Sequence, residues 1–132
     1  MVDVIEGLEG VTVHVRDLAR SRAFYSGVLG LQEVEGPPDS PRAAFRIPGT
    51  SALLSMHVMG EGEGGREPGT VSGILFSHHD PAAAFAEIRK RGGTVVREPH
   101  TFEAALGTVA LGVFSDPDGN EFVLRHVLSN RK

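Results

Sequence analysis

The stretch Val11-Thr12-Val13-His14-Val15-Arg16-Asp17-Leu18 sets the pattern of the whole chain. Its first five residues alternate apolar and polar side chains, which predicts a half-buried strand with the three valines on one face. Asp17 is a typical helix N-cap, and apolar side chains then recur at helical spacing as far as Leu29. Gly30 follows as a left-handed stop, so the sequence predicts a strand and then a helix over Leu18–Leu29.

The same pattern returns in the second half of the chain, at an offset of 63 residues that pairs Gly10 with Gly73. Val71–Ser77 is a predicted strand, Asp80 a predicted N-cap, and Pro81–Arg91 a predicted helix with proline in its first turn. Three further strands follow each helix: Gln32–Glu35, Ala43–Ile47 and Ala52–Met59 in the first half, and Thr94–Arg97, Thr108–Phe114 and Glu121–Leu128 in the second.

This repeat predicts an α+β fold in which residues 1–132 form one domain. Module 1 spans about 8–60, a glycine-rich linker spans 61–70, and module 2 spans about 71–128. Neither βαβββ module could close a good core alone. We therefore expect the two sheets to form one curved cup, with a helix covering the outside of each.

Composition excludes several classes of function. The 132 residues contain no cysteine, so there is no disulfide framework, thiolate zinc site, iron–sulfur cluster or cysteine nucleophile. The net charge of −4 is not that of a nucleic-acid-binding protein. No apolar stretch approaches the ~20 residues that span a bilayer, and we expect no signal peptide because Met1 to Gly10 carries acids and no apolar run. We expect a soluble cytoplasmic protein.

Several motifs together resemble the vicinal oxygen chelate superfamily, which includes glyoxalase I, extradiol dioxygenases and bleomycin resistance proteins. The resemblance extends from about Leu8 to Leu128. It rests on the opening stretch and on four later motifs: Ala23-Phe24-Tyr25, Val28-Leu29-Gly30-Leu31, Ile88-Arg89-Lys90-Arg91-Gly92-Gly93 and Asp116-Pro117-Asp118-Gly119-Asn120. It implies the cup-shaped fold, but this fold supports many chemistries.

The resemblance also implies where a divalent ion would be held in the metal-dependent members, by His or Gln, Glu, His and Glu. Carried over by counting from the helix caps and the Asp-Pro-Asp-Gly turn, the four positions are Gly10, Ser55, Gly73 and Val123. None is a good ligand for a divalent ion, so we expect no metal and no other cofactor. We expect the two glycines to leave room in the middle of the cup. A register slip would substitute His57 for Ser55, or Glu121 or Arg125 for Val123.

The candidate ligand-binding residues are polar side chains expected to face the cup: Thr12, His14, Ser55, His57, Ser77, Glu121 and Arg125. His14 and Glu121 are also the candidates for a catalytic base. Arg125 would suit a carboxylate or phosphate, unless it forms an ion pair with Glu121.

The remaining histidines, two phenylalanines and two aspartates are assigned to structural positions and not to the site. His78 and His79 are expected in the loop before the second helix, His100 in a loop, and His126 on the face of the last strand opposite Val123. Phe102 and Phe114, with the 61–69 segment, are candidate lid elements. Asp116 and Asp118 are explained by a turn rather than by a carboxylate pair.

Two functional hypotheses remain open. The first is a metal-free protein that binds a small organic ligand in cups shared with a partner chain, as the resemblance to the bleomycin-resistance branch implies; the net charge slightly favours a cationic ligand. The second is an enzyme of the lyase, isomerase or dioxygenase class. It would use His14 or Glu121 as a base, or an atypical metal site of His14, His57 and Glu121.

Overall fold

The computed structural model describes residues 4, 6, 8–58, 69, 71–104 and 107–130. The first module contains β1 (Gly10–Val15), α1 (Leu18–Arg22), a π-helical segment (Ala23–Val28), β2 (Gln32–Val34), β3 (Arg42–Arg46) and β4 (Leu53–Val58). The second contains β5 (Val71–Ser77), α2 (Pro81–Lys90), β6 (Thr94–Ala104), β7 (Gly107–Ser115) and β8 (Glu121–Asn130). Most of the predicted glycine-rich linker lies outside the described residues.

The helix of the first module begins as predicted but changes from an α-helix to a π-helix. The Asp17 carboxylate accepts hydrogen bonds from the backbone N–H groups of Ala19 and Arg20, at 2.9 and 3.4 Å. After Arg22 the backbone becomes π-helical, and the N–H of Leu29 donates to the carbonyl of Phe24, five residues earlier. The predicted α-helix over Leu18–Leu29 is therefore only partly correct.

The helix of the second module follows the prediction closely. The Asp80 carboxylate accepts a hydrogen bond from the N–H of Ala83 at 3.2 Å, and Pro81 occupies the first turn. Phe85 and Ile88 are buried on its inner face. Gly92 then adopts a φ of 87°, the left-handed conformation that ends the helix.

The two modules have equivalent sheets, with strand orders β1-β4-β3-β2 and β5-β8-β7-β6. In each sheet the first strand of the module runs parallel to the last, and the other pairs are antiparallel. The predicted α+β architecture of two βαβββ modules is confirmed.

The sixth strand is much longer than predicted. β6 reaches Ala104 instead of Arg97, with register shifts between Val95 and His100. Pro99, which has no N–H to donate, lies within this irregular stretch. The prediction that His100 lies in a loop is wrong, because His100 pairs with Leu111 in the sheet.

The covered faces of both sheets share one apolar core. Phe24 lies 6.4 Å from Phe114 and Tyr25 lies 6.1 Å from Phe122, measured between ring centroids, so rings of the first module pack on those of the second. Phe114 is 1% exposed. Its predicted role in a lid is therefore wrong.

A buried polar network in the turn between β7 and β8 also joins the modules. Asp116 accepts a hydrogen bond from the Tyr25 hydroxyl at 2.6 Å, and Asn120 Nδ2 donates to the carbonyl of His14 at 2.9 Å. The Asp118 carboxylate forms salt bridges with Arg16 and Arg20. Burial raises the pKa of Tyr25 well above its usual range, and the neighbouring Asp116 charge adds to the effect.

Within the described residues, the structure contains no helix that combines the length and apolar character needed to cross a membrane.

Candidate ligand-binding faces

Each sheet has one face packed on the core and one face left open. Along β1, Val13 and Val15 are 3% and 1% exposed, whereas Thr12 before them is exposed to solvent and His14 between them is partly exposed. The same alternation continues through β3 and β4. We call the uncovered side of the first sheet the first open face; it consists of Gly10, Thr12, His14, Gln32, Val34, Arg42, Ala44, Arg46, Leu53, Ser55 and His57.

The registers of β1 with β4 and of β4 with β3 bring the predicted polar residues of the first module together. Thr12 is directly opposite Ser55, and His14 is directly opposite His57, with their ring centroids 6.0 Å apart. Arg42 pairs with His57 from the other side and extends this row across three strands. The structure thus places Ser55 and His57 on the same open face, two residues apart.

The second open face is more apolar. It consists of Leu75, Ser77, Arg97, His100, Phe102, Leu111, Val113, Glu121, Val123 and Arg125. Leu75 is 51% exposed and lies beside Val123, while Ser77 lies beside Arg125. Ser77, Glu121 and Arg125 therefore share one face, as the sequence suggested for the two residues of β8.

The suggested ion pair between Glu121 and Arg125 does not form among the described residues. Four residues along one strand separate their Cα atoms by about 13 Å, which is too far for direct contact. Arg125 is half-buried beside Ser77 and Leu111 in the sheet register. Its guanidinium remains available to a ligand.

Gly10 and Gly73 occupy equivalent positions of the repeat, but the structure requires glycine there for different reasons. A Cβ at Gly10 would lie 2.6 Å from the carbonyl oxygen of Leu53, so the neighbouring strand fills this space and the expected room at Gly10 is absent. A Cβ at Gly73 would meet nothing within 4 Å, but Gly73 has a φ of +74°. That left-handed backbone favours glycine.

These positions do not fit a divalent ion. Two of the four predicted ligand positions are glycines, Val123 has no donor atom, and Ser55 offers only a neutral hydroxyl. Across the described residues, no group of three or more His, Asp or Glu side chains is arranged to hold a metal.

A cavity of about 860 Å³ adjoins the first open face. Val34, Arg42, Ala44 and Ser55 line it from the sheet, and the 35–40 loop lines it from the side. This volume is in the range of small-molecule sites. A second cavity, of about 350 Å³, lies at the other end of the face beside Gln32, Arg46 and Leu53.

Sequence reasoning missed Arg42. The predicted strand began at Ala43, one residue too late, although the alternation of Arg42 with the buried Ala43 and Phe45 was present in the sequence. Of the remaining histidines, His78 accepts a hydrogen bond from the N–H of Asp80 at 2.9 Å, next to the start of α2. His126 pairs with Ala110 on the side of β8 opposite Val123.

Comparisons with known proteins agree with this architecture. A crystal structure from Sphaerobacter thermophilus, described as a member of the glyoxalase/bleomycin resistance protein/dioxygenase superfamily, is 28% identical, with a TM-score of 0.78 over 92% of this chain and 97% of that one. A glyoxalase/bleomycin resistance protein from Albidiferax ferrireducens is 28% identical, with a TM-score of 0.67 over 90% and 98% of the two chains.

A third structure, TnmS3 from a Streptomyces species, is described as an antibiotic binding protein. It is 24% identical, with a TM-score of 0.72 over 93% of this chain and 97% of that one, and at this identity it shows the fold alone. No curated protein matches the chain. The family model of the Glyoxalase/Bleomycin resistance protein/Dioxygenase superfamily matches residues 7–124, and the chain belongs to that superfamily.

Proposed function

We propose that this protein binds a small organic molecule without a metal ion, as a homodimer. In each cup, the first open face of one subunit lies opposite the second open face of the other. The observation that carries this proposal is the single core shared by the covered faces of both sheets. Because that core joins the two modules back to back, each open face is directed away from it and requires another chain to enclose a ligand.

The exposed apolar side chains support this arrangement. Leu75 and Phe102 are 51% and 40% exposed on the second open face. They lie on the two edge strands of the sheet, with Leu111, Val113 and Val123 on the strands between them. An exposed apolar sheet face of this kind is typical of an interface or a ligand site. The structural likeness to the antibiotic binding protein TnmS3 is consistent with an organic ligand in such a cup.

A blocking substitution tests the site. In Ser55→Trp the indole would occupy the cavity beside Arg42 and Ala44, and we expect the affinity for the neutral dye phenylnaphthylamine to fall at least about tenfold. Ser26→Trp is the matched control, because Ser26 is exposed on the π-helical segment away from both open faces. Fluorescence titration measures both affinities. Equal loss in the two variants, or dye binding that Ser55→Trp leaves unchanged, would contradict the proposal.

Turnover distinguishes this proposal from the enzyme alternative. A panel of aromatic metabolites and antibiotics is screened by thermal stabilisation, and each compound that stabilises the protein is recovered after long incubation. Unchanged compounds support a binding protein. Conversion that is lost in His14→Ala or Glu121→Gln would instead establish catalysis with that residue as the base.

Metal content tests the remaining part of the proposal. We expect untagged protein purified from cells to contain less than one equivalent of any divalent metal, and a chelator to leave its melting temperature unchanged. Stoichiometric metal lost in His14→Ala or His57→Ala would restore the atypical metal site. The cytoplasmic location expected from the sequence remains part of the proposal, and cell fractionation tests it.

A further inference from the structure

The arginines in the described part of the chain fall into two groups that differ in their partners. Five lie outside the open faces and form salt bridges: Arg16 and Arg20 with Asp118, Arg22 with Glu33, Arg89 with Glu98, and Arg91 with Glu87. In the part of the chain that the structure describes, Arg42, Arg46, Arg97 and Arg125 have no such partner. All four lie on the open faces.

The charge of the open faces is therefore opposite to that of the whole chain. The net charge is −4, yet the first open face carries Arg42 and Arg46 and no acidic side chain. Three acids off that face also line its cavity: Glu33, which is paired with Arg22, and Glu35 and Asp39 of the 35–40 loop. On the second open face, Arg97 and Arg125 outnumber Glu121.

Arg42 is the best placed of the four to meet a ligand. It lines the 860 Å³ cavity together with the Ser55 hydroxyl, and it continues the row formed by His57 and His14. A guanidinium presents paired N–H donors that match a carboxylate, sulfonate or phosphate group. The neighbouring Ser55 hydroxyl adds a further donor to the same group.

We propose that the ligand is an amphipathic organic anion, whose acidic group binds Arg42 and Ser55 while its apolar body lies against Leu75, Val113 and Val123 of the opposite face. This inference rests on the proposed ligand-binding function. It replaces the weak preference for a cationic ligand that the net charge suggested, because the charged groups on the sheet face itself are arginines without an acidic partner among the described residues, whereas the acids of the cavity lie on the other side of β2 and on the 35–40 loop.

A matched pair of dyes tests the charge of the ligand. Anilinonaphthalene sulfonate and phenylnaphthylamine share one aromatic skeleton and differ in the sulfonate. We expect the anionic dye to bind more tightly, and its affinity to fall about tenfold in Arg42→Gln, since a charged hydrogen bond is lost. The neutral dye should bind Arg42→Gln as it binds the natural protein. Added salt should weaken only the anionic dye.

The control variant is Arg89→Gln, which removes the same charge from the outer surface. Amide chemical shifts should locate the anionic dye at Arg42 and Ser55. Loss of anionic-dye affinity in Arg89→Gln as large as in Arg42→Gln would overturn the inference, as would no effect of Arg42→Gln. Equal binding of both dyes at the cup would overturn it while leaving the proposed function intact. If neither dye bound the folded protein, both proposals would fail.

Discussion

Tyr25 shows how one buried hydroxyl joins the two halves of the chain. Its side chain is 0% exposed, its ring packs on Phe45 and Phe122, and its hydroxyl donates to Asp116 in the turn of the other module. Tyr25→Phe keeps the packing and removes only the hydrogen bond. Asp116 retains its donor from Asn120, so we expect the free energy of unfolding to fall by about 1–2 kcal/mol, measured with urea.

The same hydroxyl predicts a particular response to alkali. Burial and the Asp116 carboxylate raise the pKa of Tyr25, so the native state keeps a proton that the unfolded chain loses at about pH 10. The stability that Tyr25 contributes is complete below that pH. Above it, the free energy of unfolding should fall by up to about 1.4 kcal/mol per pH unit more than in Tyr25→Phe.

The measurement is direct because Tyr25 is the only tyrosine and the chain has no tryptophan. As the pH is raised, the near-ultraviolet absorbance of the phenolate should appear only at the pH values where circular dichroism shows that the protein unfolds. Ionisation of Tyr25 in the folded protein near its usual pKa would contradict the buried hydrogen bond.

At the level of elements, two glycines with open space around them show what backbone strain alone costs when alanine replaces glycine. Gly73 in β5 has a φ of +74° and open space around its Cβ position. Gly73→Ala should therefore destabilise the protein by about 1–2 kcal/mol through backbone strain alone. Gly27 in the π-helical segment also has open space, but an ordinary negative φ.

Gly27→Ala is the matched control for that substitution. It should stabilise the protein by about 0.4–1 kcal/mol, because alanine restricts the unfolded chain without straining the native backbone. Urea unfolding of both variants checks the pair. A Gly73→Ala variant as stable as Gly27→Ala would show that the left-handed conformation at Gly73 is not required.

Local signals predicted most elements correctly, because capping residues and alternation act over a few positions. Asp17 and Asp80 mark both helix starts, and the alternating valines of β1 assign its two faces. The π-helical segment and the extension of β6 could not be predicted in this way. Phe24 and Tyr25 are both buried against the distant β7–β8 hairpin, and the end of β6 is stabilised by pairing with β7 across the irregularity at Pro99.

At the scale of the whole molecule, mixed dimers test whether a cup is built from two chains. Ser55→Trp damages the first open face and Leu75→Asp damages the second, so neither homodimer should bind phenylnaphthylamine. In a dimer that contains one chain of each kind, shared cups would consist of one intact cup and one doubly damaged cup. Unfolding and refolding an equal mixture should restore binding at about a quarter of all cups.

Cups formed within single chains would each keep one lesion, so the mixture would remain inactive. Light scattering on the same sample measures the mass, which should be twice the 14.0 kDa of the chain. A monomer, or a dimer whose mixture regains nothing, would contradict the shared cup.

The candidate site was partly predictable from the sequence. Parity along each strand was enough to group Thr12 with His14, Ser55 with His57, and Glu121 with Arg125. Parity could not show that Arg42 completes the row of His14 and His57, because that contact depends on the registers of β1 with β4 and of β4 with β3. Nor could it show that the Asp116–Asn120 turn is a buried connection rather than a surface turn, since its partners are far away in sequence.

That distance has a consequence for how the protein is made. Tyr25 and Asp116 are 91 residues apart, Arg16 and Asp118 are 102 apart, and His14 and Asn120 are 106 apart. During synthesis, the first module leaves the ribosome with its aromatic surface uncovered until the β7–β8 hairpin emerges. Such distant contacts slow folding, because a long loop must close before they form. The nascent chain therefore completes its core only after the β7–β8 hairpin has left the ribosome.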